Sequence, residues 1–227
     1  MQRIVEPEIM DDAEQAAAYD KADFSKSHSR RVELFKLSAP SRVFNGLVLD
    51  LGTGSGDILF RFAEAFPSTS YIGIDGSRAM LDLAEQRLGR SPKLTERVKF
   101  TEGYIPSDQI PREQYSVIMC HSLLHHLHDP GVLWNTIADL MNRETFVFVA
   151  DLRRPQSPEQ AQAIVEELAS GEPQILKRDF FNSLCASFTV SEVRTQLAAA
   201  KLDWLSVEEV DDIHLMIYGT RNLKAAE

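Results

Sequence analysis

The spacing of apolar residues changes period repeatedly along the chain, and each change predicts an element. Gly46-Leu47-Val48-Leu49-Asp50-Leu51 is a short apolar run that enters Gly52-Thr53-Gly54-Ser55-Gly56. A run of this kind entering a glycine turn reads as a buried strand. From Asp57 to Ala65 the period becomes helical, with Ile58, Leu59, Phe62 and Ala65 on one side. The unit then repeats: Tyr71 to Ile74 reads as a strand, Asp75-Gly76-Ser77 as a turn, and Ala79 to Leu88 as a helix. Arg97 to Phe100, Ser116 to Cys120 and Thr145 to Ala150 read as further strands, with a helix from Val132 to Leu140. Strands alternating with helices imply parallel pairing through right-handed crossovers.

Both ends of the chain leave this rhythm. Thr189 can cap a helix from Val190 to Ala199, with Glu192 completing a capping box. Leu205 to Val210 and Ile213 to Tyr218 are two strands separated by only Asp211-Asp212, which predicts an antiparallel hairpin at the sheet edge. Residues 152–188 contain Pro155, Pro173 and a helix from Pro158 to Leu168, and fit no strand–helix alternation. They read as a small helical cap inserted at the C-terminal end of the sheet, where insertions shape a substrate pocket. Upstream, Asp11 to Leu37 is helical with a weak stretch at residues 23–27, and Ser38-Ala39-Pro40-Ser41 separates it from the first strand. The expected organisation is a helical lid over residues 1–40, then an α/β domain over 41–227 carrying the cap. Its sheet has seven mostly parallel strands and an antiparallel edge hairpin.

Composition narrows the class. Of 227 residues, 44% are hydrophobic and 26% charged, which suits a globular domain with a substantial core. No apolar run approaches the ~20 residues of a bilayer span, so no membrane association is expected. Met1 to Asp12 is polar and acidic and lacks the apolar stretch of a secretory signal. The net charge of −10 repels a phosphate backbone, so nucleic acid is not the expected partner. Arg30, Arg31, Arg153 and Arg154 are the candidates for a local basic patch. Two cysteines, Cys120 and Cys185, make no disulfide framework, and a reducing, cytoplasmic setting is the simplest expectation.

The strongest chemical signal is Val48 to Asp57. Its glycines allow a tight turn and close approach of a ligand to the backbone. The spacing is G-x-G-x-G, unlike the G-x-G-x-x-G of dinucleotide binders. Asp57 falls in the first turn of the following helix, where a carboxylate disfavours pyrophosphate. Asp50 adds a second acid. Two carboxylates around a glycine turn suit a ligand with cationic groups, and S-adenosylmethionine carries a sulfonium and an ammonium. Asp75 ends the second strand, 25 residues after Asp50, where an acid accepts hydrogen bonds from ribose hydroxyls.

These residues resemble the motifs of class I S-adenosylmethionine-dependent methyltransferases. Val48 to Asp57 is similar to the first motif, and Ile72 to Ser77 with Met80, Leu81 and Ala84 to the second. Val98 to Tyr104 is similar to the third, with Tyr104 standing where the family usually has an Asp toward adenine. Tyr115 to Leu127 is similar to the fourth strand and its loop. The resemblance covers Gly46 to Gly219 and is nearest to the small-molecule branch. It implies a Rossmann-like fold, S-adenosylmethionine as methyl donor, S-adenosylhomocysteine as product and a small-molecule acceptor. It implies cofactor contacts from Asp50, Gly52, Gly54, Gly56, Asp75, Gly76, Ser77, Met80, Gly103, Tyr104, Ile105 and Cys120. An aromatic such as Tyr19 would lid the cofactor, and Arg30 or Arg31 would reach its carboxylate.

His121, His125, His126 and His128 crowd one loop. Neighbours at 125 and 126 are expected to face apart, and no Cys, Asp or Glu spacing completes a metal site. No metal is therefore expected, and His125 and His126 read first as packing residues, with His125 also a candidate for the acceptor pocket. His121 follows the fourth strand, where donor and acceptor would meet, and reads either as a general base with an ordinary histidine titration or as simple lining of the pocket. Arg153, Arg154, Phe180, Phe181 and Asn182 are the remaining candidates for the acceptor pocket, the arginines suggesting an anionic metabolite. Two other readings stay open: methylation of RNA, and a non-catalytic cofactor-binding regulator on the same fold. A nicotinamide oxidoreductase is disfavoured by the glycine spacing. Homodimer formation is left open.

Overall fold

The computed structural model describes residues 1–6, 24–41 and 45–221. Tyr19, expected to lid the cofactor, lies outside the described residues. In chain order the elements are α1 (Ser25–Ser38), β1 (Leu47–Leu51), α2 (Asp57–Ala65), β2 (Ser70–Asp75), α3 (Arg78–Gly89), β3 (Val98–Glu102) and β4 (Tyr115–His121). Next come a 3-10 turn (Leu124–His126), α4 (Gly131–Leu140), β5 (Phe146–Leu152), α5 (Pro158–Leu168), α6 (Gln174–Ala186), α7 (Val190–Ala199), β6 (Ser206–Glu209) and β7 (His214–Gly219).

The seven strands form one Rossmann-like sheet in the order β3-β2-β1-β4-β5-β7-β6. Strands β1 to β5 pair in parallel, and β7 runs antiparallel to both β5 and β6. The late hairpin forms at the sheet edge as expected. β7 inserts beside β5 and leaves the short β6 at the edge. Its apolar sequence explains this: Leu215 and Ile217 are fully buried, whereas three of the four β6 residues are exposed.

Side chains alternate across the sheet, so each strand feeds two cores. Leu49, Leu51, Ile118, Cys120, Val147 and Val149 pack against Leu133, Trp134 and Ile137 of α4 and Val193 and Leu197 of α7. On the opposite face Val48, Val117, Met119, Phe146 and Phe148 meet α1 and α2. There Phe35 of α1 makes edge contacts with Phe62, Phe66, Phe146 and Phe148 at ring separations of 5.1 to 5.7 Å. α1 therefore shares the main core.

Two helices, α5 and α6, make up most of the cap. Ser157 caps α5 with Pro158 in its first turn, and α7 starts from the Thr189–Glu192 capping box. Ala161 and Val165 of α5 pack on Leu184 and Cys185 of α6 to form a small third core. The first six residues tie this cap to the loop after β4, which the sequence did not foreshadow. The Arg3 guanidinium donates to Ala186 O at 2.5 Å and to His125 O and Leu127 O at 2.9 Å, and lies over the Phe188 ring.

Candidate active site

The C-terminal ends of β1, β2 and β4 open into a cavity of about 1290 Å³, roofed by α1 on one side and by the cap on the other. At its floor the glycine loop turns sharply, with Gly52, Gly54 and Gly56 all at positive φ (73°, 56° and 75°). The Asp75 carboxylate reaches back across this turn, accepting from Gly54 N at 2.7 Å and Ser77 N at 2.9 Å. Burial raises its pKa above the ordinary carboxylate value, even against the backbone N–H groups that favour its charge. Ser77 also caps α3 through Met80 N. The Tyr104 ring rests on the turn at Gly76, where a Cβ would lie 2.8 Å from it, and over half of Tyr104 is exposed.

Asp50 is buried beneath the loop. Its Oδ2 accepts from the Thr53 hydroxyl at 2.8 Å, while Oδ1 has no hydrogen-bond partner among the described residues. Burial pushes its pKa up to about 7. A buried acid half-protonated near neutrality is poised to gain a cation. A cationic ligand arriving beside it favours the carboxylate and lowers that pKa, so binding near pH 7 releases a proton. Affinity for S-adenosylmethionine should therefore rise as pH climbs through about 7, and binding heats should vary with the ionisation enthalpy of the buffer. Asp50→Asn should abolish the buffer dependence, and a buffer dependence that survives in this variant would assign the proton elsewhere.

The carboxylate of Asp57 proves to be engaged. It accepts from His28 Nδ1 at 2.6 Å and Arg61 Nε at 2.8 Å, and Arg87 stands 3.4 Å away. Burial works against its charge, but the hydrogen bonds from His28 and Arg61 outweigh it and hold the pKa below the ordinary range. Asp57 thus locks α1 and α3 onto α2, and its charge is largely met before any ligand arrives.

Of the expected contacts, Asp50, Gly52, Gly54, Asp75, Gly76, Ser77, Met80, Gly103, Tyr104 and Ile105 line the cavity together with His121, His125 and Phe180. Others do not. Gly56 faces protein: a Cβ there would meet Phe60, Phe100 and Ala84 at 3.0 to 3.3 Å, so its role is close packing of α2. Cys120 points into the α4 side of the core and is fully buried. Arg154 is buried and bonded to Ser187 O and the Glu192 carboxylate, pinning the cap to α7. Arg153 turns to Asp211 O and Asp212 O. Phe181 and Asn182 follow Phe180 on α6, and its helical rotation carries them off the cavity wall. Arg30 reaches the rim, paired with Glu33 at 3.1 Å, whereas Arg31 is buried in the wall.

His121 sits on the wall below α1, its ring 5.7 Å from that of Phe62 and 5.6 Å from that of Phe148. Neither ring nitrogen has a hydrogen-bond partner among the described residues. Burial, reinforced by Arg31 and His28, holds its pKa well below the ordinary histidine value, so the ordinary titration expected of it does not apply. Just beyond, Ser122 adopts φ 52°, an unusual conformation for a residue with a side chain and one that occurs at functional turns.

His125 and His126 do not face apart. Their ring centroids lie 4.2 Å apart with the planes tilted by 34°, within a 3-10 turn. His125 Nδ1 meets Asp151 Oδ1 at 2.5 Å, and Asp151 also accepts from Leu124 N and Leu152 N. Burial alone would lower the His125 pKa, but Asp151 outweighs it and raises the value. Asp151 and Glu6 were missed from sequence, since only the sheet register and the N-terminal segment bring them to this loop.

The profile of a family described as a methyltransferase domain matches residues 49–147, the stretch from β1 into β5. Over that stretch the chain is similar to a methyltransferase domain. An uncharacterised methyltransferase of Schizosaccharomyces pombe is 31% identical over 87 residues, covering 37% of this chain and 31% of that protein. A malonyl-[acyl-carrier protein] O-methyltransferase of Ilyobacter polytropus is 27% identical over 128 residues, 56% of this chain and 45% of that protein. The matched region thus spans less than half the length of either relative. The crystal structure of the plantazolicin methyltransferase BamL, in complex with a triazolic desmethyl analogue and S-adenosylhomocysteine, superposes with a TM-score of 0.70 at 15% identity. It covers 92% of this chain and 91% of that one. The methyltransferase fold accounts for the strand order and the position of the cavity. Among the described residues, no helix is long and apolar enough to cross a membrane.

Proposed function

We propose that this chain transfers the methyl group of S-adenosylmethionine to a small acceptor held under the cap. The observation that carries the reading is the junction of the glycine loop, Asp50 and Asp75 at one end of a cavity whose other end is the cap. The fit is chemical. The unpartnered Asp50 oxygen suits a cation, and Asp75 retains acceptor capacity toward ribose hydroxyls at the end of β2. S-adenosylmethionine supplies a methyl on a sulfonium, which an acceptor displaces in line. The protein's part is then alignment and exclusion of water.

The arginines that suggested an anionic acceptor turn away from the cavity, and they are replaced there by carboxylates. Glu167, Glu172, Asp179, Asp211 and Asp212 line the cap side, against Ile164, Leu168, Leu176 and Phe180. A neutral or cationic acceptor with an apolar body fits this wall better than an acid.

Two measurements test the reading. Calorimetry should detect S-adenosylhomocysteine binding and no NAD binding, and methyl-labelled S-adenosylmethionine should label a component of a fractionated small-molecule pool. Tight NAD binding without a response to S-adenosylhomocysteine overturns it, and label recovered only in RNA overturns the acceptor class. Asp75→Ala should weaken S-adenosylhomocysteine by about 1.5–3 kcal/mol, the range for hydrogen bonds to a charged group. Unchanged affinity in a folded Asp75→Ala protein would reduce this acid to a cap of its turn.

A further inference from the structure

Where the cap meets the loop after β4, Glu6, His125 and His126 bring one ligand atom each to within 4.8 Å of the others. Glu6 Oε1 lies 3.3 Å from His126 Nδ1 and 3.6 Å from His125 Nε2. Ligands at 2.0–2.2 Å from a tetrahedral ion are separated by about 3.3–3.6 Å, so both separations are those of edges of a coordination sphere. The same Glu6 oxygen is buried and makes no hydrogen bond among the described residues, although two imidazoles face it. His125 presents its other nitrogen to Asp151 at 2.5 Å, the carboxylate–histidine arrangement that fixes the orientation of a metal-binding imidazole. His125 and His126 line the cavity, so a fourth ligand position opens toward the acceptor.

We propose that Glu6, His125 and His126 form a binding site for one divalent first-row transition ion, held by two imidazoles and one carboxylate with an open position. That ligand set suits zinc and its neighbours better than magnesium or calcium, which take oxygen ligands. The N-terminal segment is what completes the site. Arg3 clamps that segment to His125 O, Leu127 O and Ala186 O, and Ser183 holds the other Glu6 oxygen at 3.3 Å. The ion's use rests on the methyl-transfer reading: it would bind an oxygen of the acceptor and hold it toward the sulfonium. Closing the sphere needs a small movement of His126, the more exposed of the two rings (21%).

The test is equilibrium dialysis of the metal-stripped full chain against zinc, with cobalt as a spectroscopic probe. S-adenosylhomocysteine titrations run in parallel. One zinc per chain is expected, with cobalt giving the visible bands of a four- or five-coordinate nitrogen–oxygen site. Glu6→Gln, which keeps the shape of the side chain, and His126→Ala should each abolish stoichiometric binding. Asp151→Asn should weaken it about 10–100-fold, as the loss of an orienting carboxylate does. Failure to bind zinc, or binding that Glu6→Gln leaves unchanged, overturns the site. If His126→Ala does not fold, Glu6→Gln decides alone, because it alters no packing volume. Metal binding with no response to S-adenosylhomocysteine would keep the site and overturn the methyl-transfer reading. The reverse result would keep that reading and show the cluster to be an ion pair only.

Discussion

His121→Asn lowers turnover by about 10²–10³-fold and leaves S-adenosylhomocysteine affinity nearly unchanged: this is the result expected if His121 takes or steers the acceptor's proton. The residue ends β4 at the crevice beyond the strand ends, where ligands of such sheets bind. Its ring lines the cavity with both nitrogens unpartnered among the described residues, so none of those residues competes with a ligand for them. Burial keeps the ring neutral, which leaves a lone pair available as acceptor throughout the neutral range. The wild-type rate should consequently show no histidine inflection between about pH 6 and 8. A depressed pKa also makes the ring a weak base, which places the expected loss below the top of the acid–base range. His121→Phe separates chemistry from packing, since it keeps the aromatic contacts with Phe62 and Phe148 and removes both nitrogens. Equal, large losses in both variants assign the effect to the nitrogens. Near-normal rates in both would leave His121 as wall, with alignment alone driving the reaction.

Asp151→Ala should destabilise the fold by about 3–5 kcal/mol, the range for removing one partner of a buried charged pair. In a domain of this size that corresponds to a fall of about 6–20 °C in Tm. Asp151 is 1% exposed and serves three donors: His125 Nδ1, Leu124 N and Leu152 N. Alanine leaves all three without an acceptor, and water has little access to replace it. Asp151→Asn keeps an acceptor oxygen and should recover part of the loss. Thermal unfolding followed by circular dichroism measures both variants. A loss under about 1 kcal/mol in Asp151→Ala would mean that the loop after β4 holds itself by packing.

The sequence by itself determined the architecture and the glycine-loop end of the cavity. Strand periodicity, the glycine turn and Asp75 are local features: their spacing reflects the rise of a strand and the turn that must come after it. All seven strands and the helices from Asp57 onward, apart from α6 (Gln174–Ala186), which the apolar pattern did not mark, lie within a few residues of where that pattern placed them. The Thr189–Glu192 capping box was legible for the same reason, since its two side chains stand three residues apart. Only the tertiary structure decided which polar side chains face the cavity. Arg154 looked available for a substrate because sequence shows no partner, yet Glu192, 38 residues away, claims it. Asp57 looked like a repulsive charge until His28, from a different helix, met it. The Glu6–His125–His126 cluster joins the N-terminal segment to the loop after β4, and no periodicity encodes such a contact. The titration of His121 was misjudged for a related reason: a pKa depends on burial and on charges from other elements, and those are fixed only when the sheet, α1 and the cap close around it.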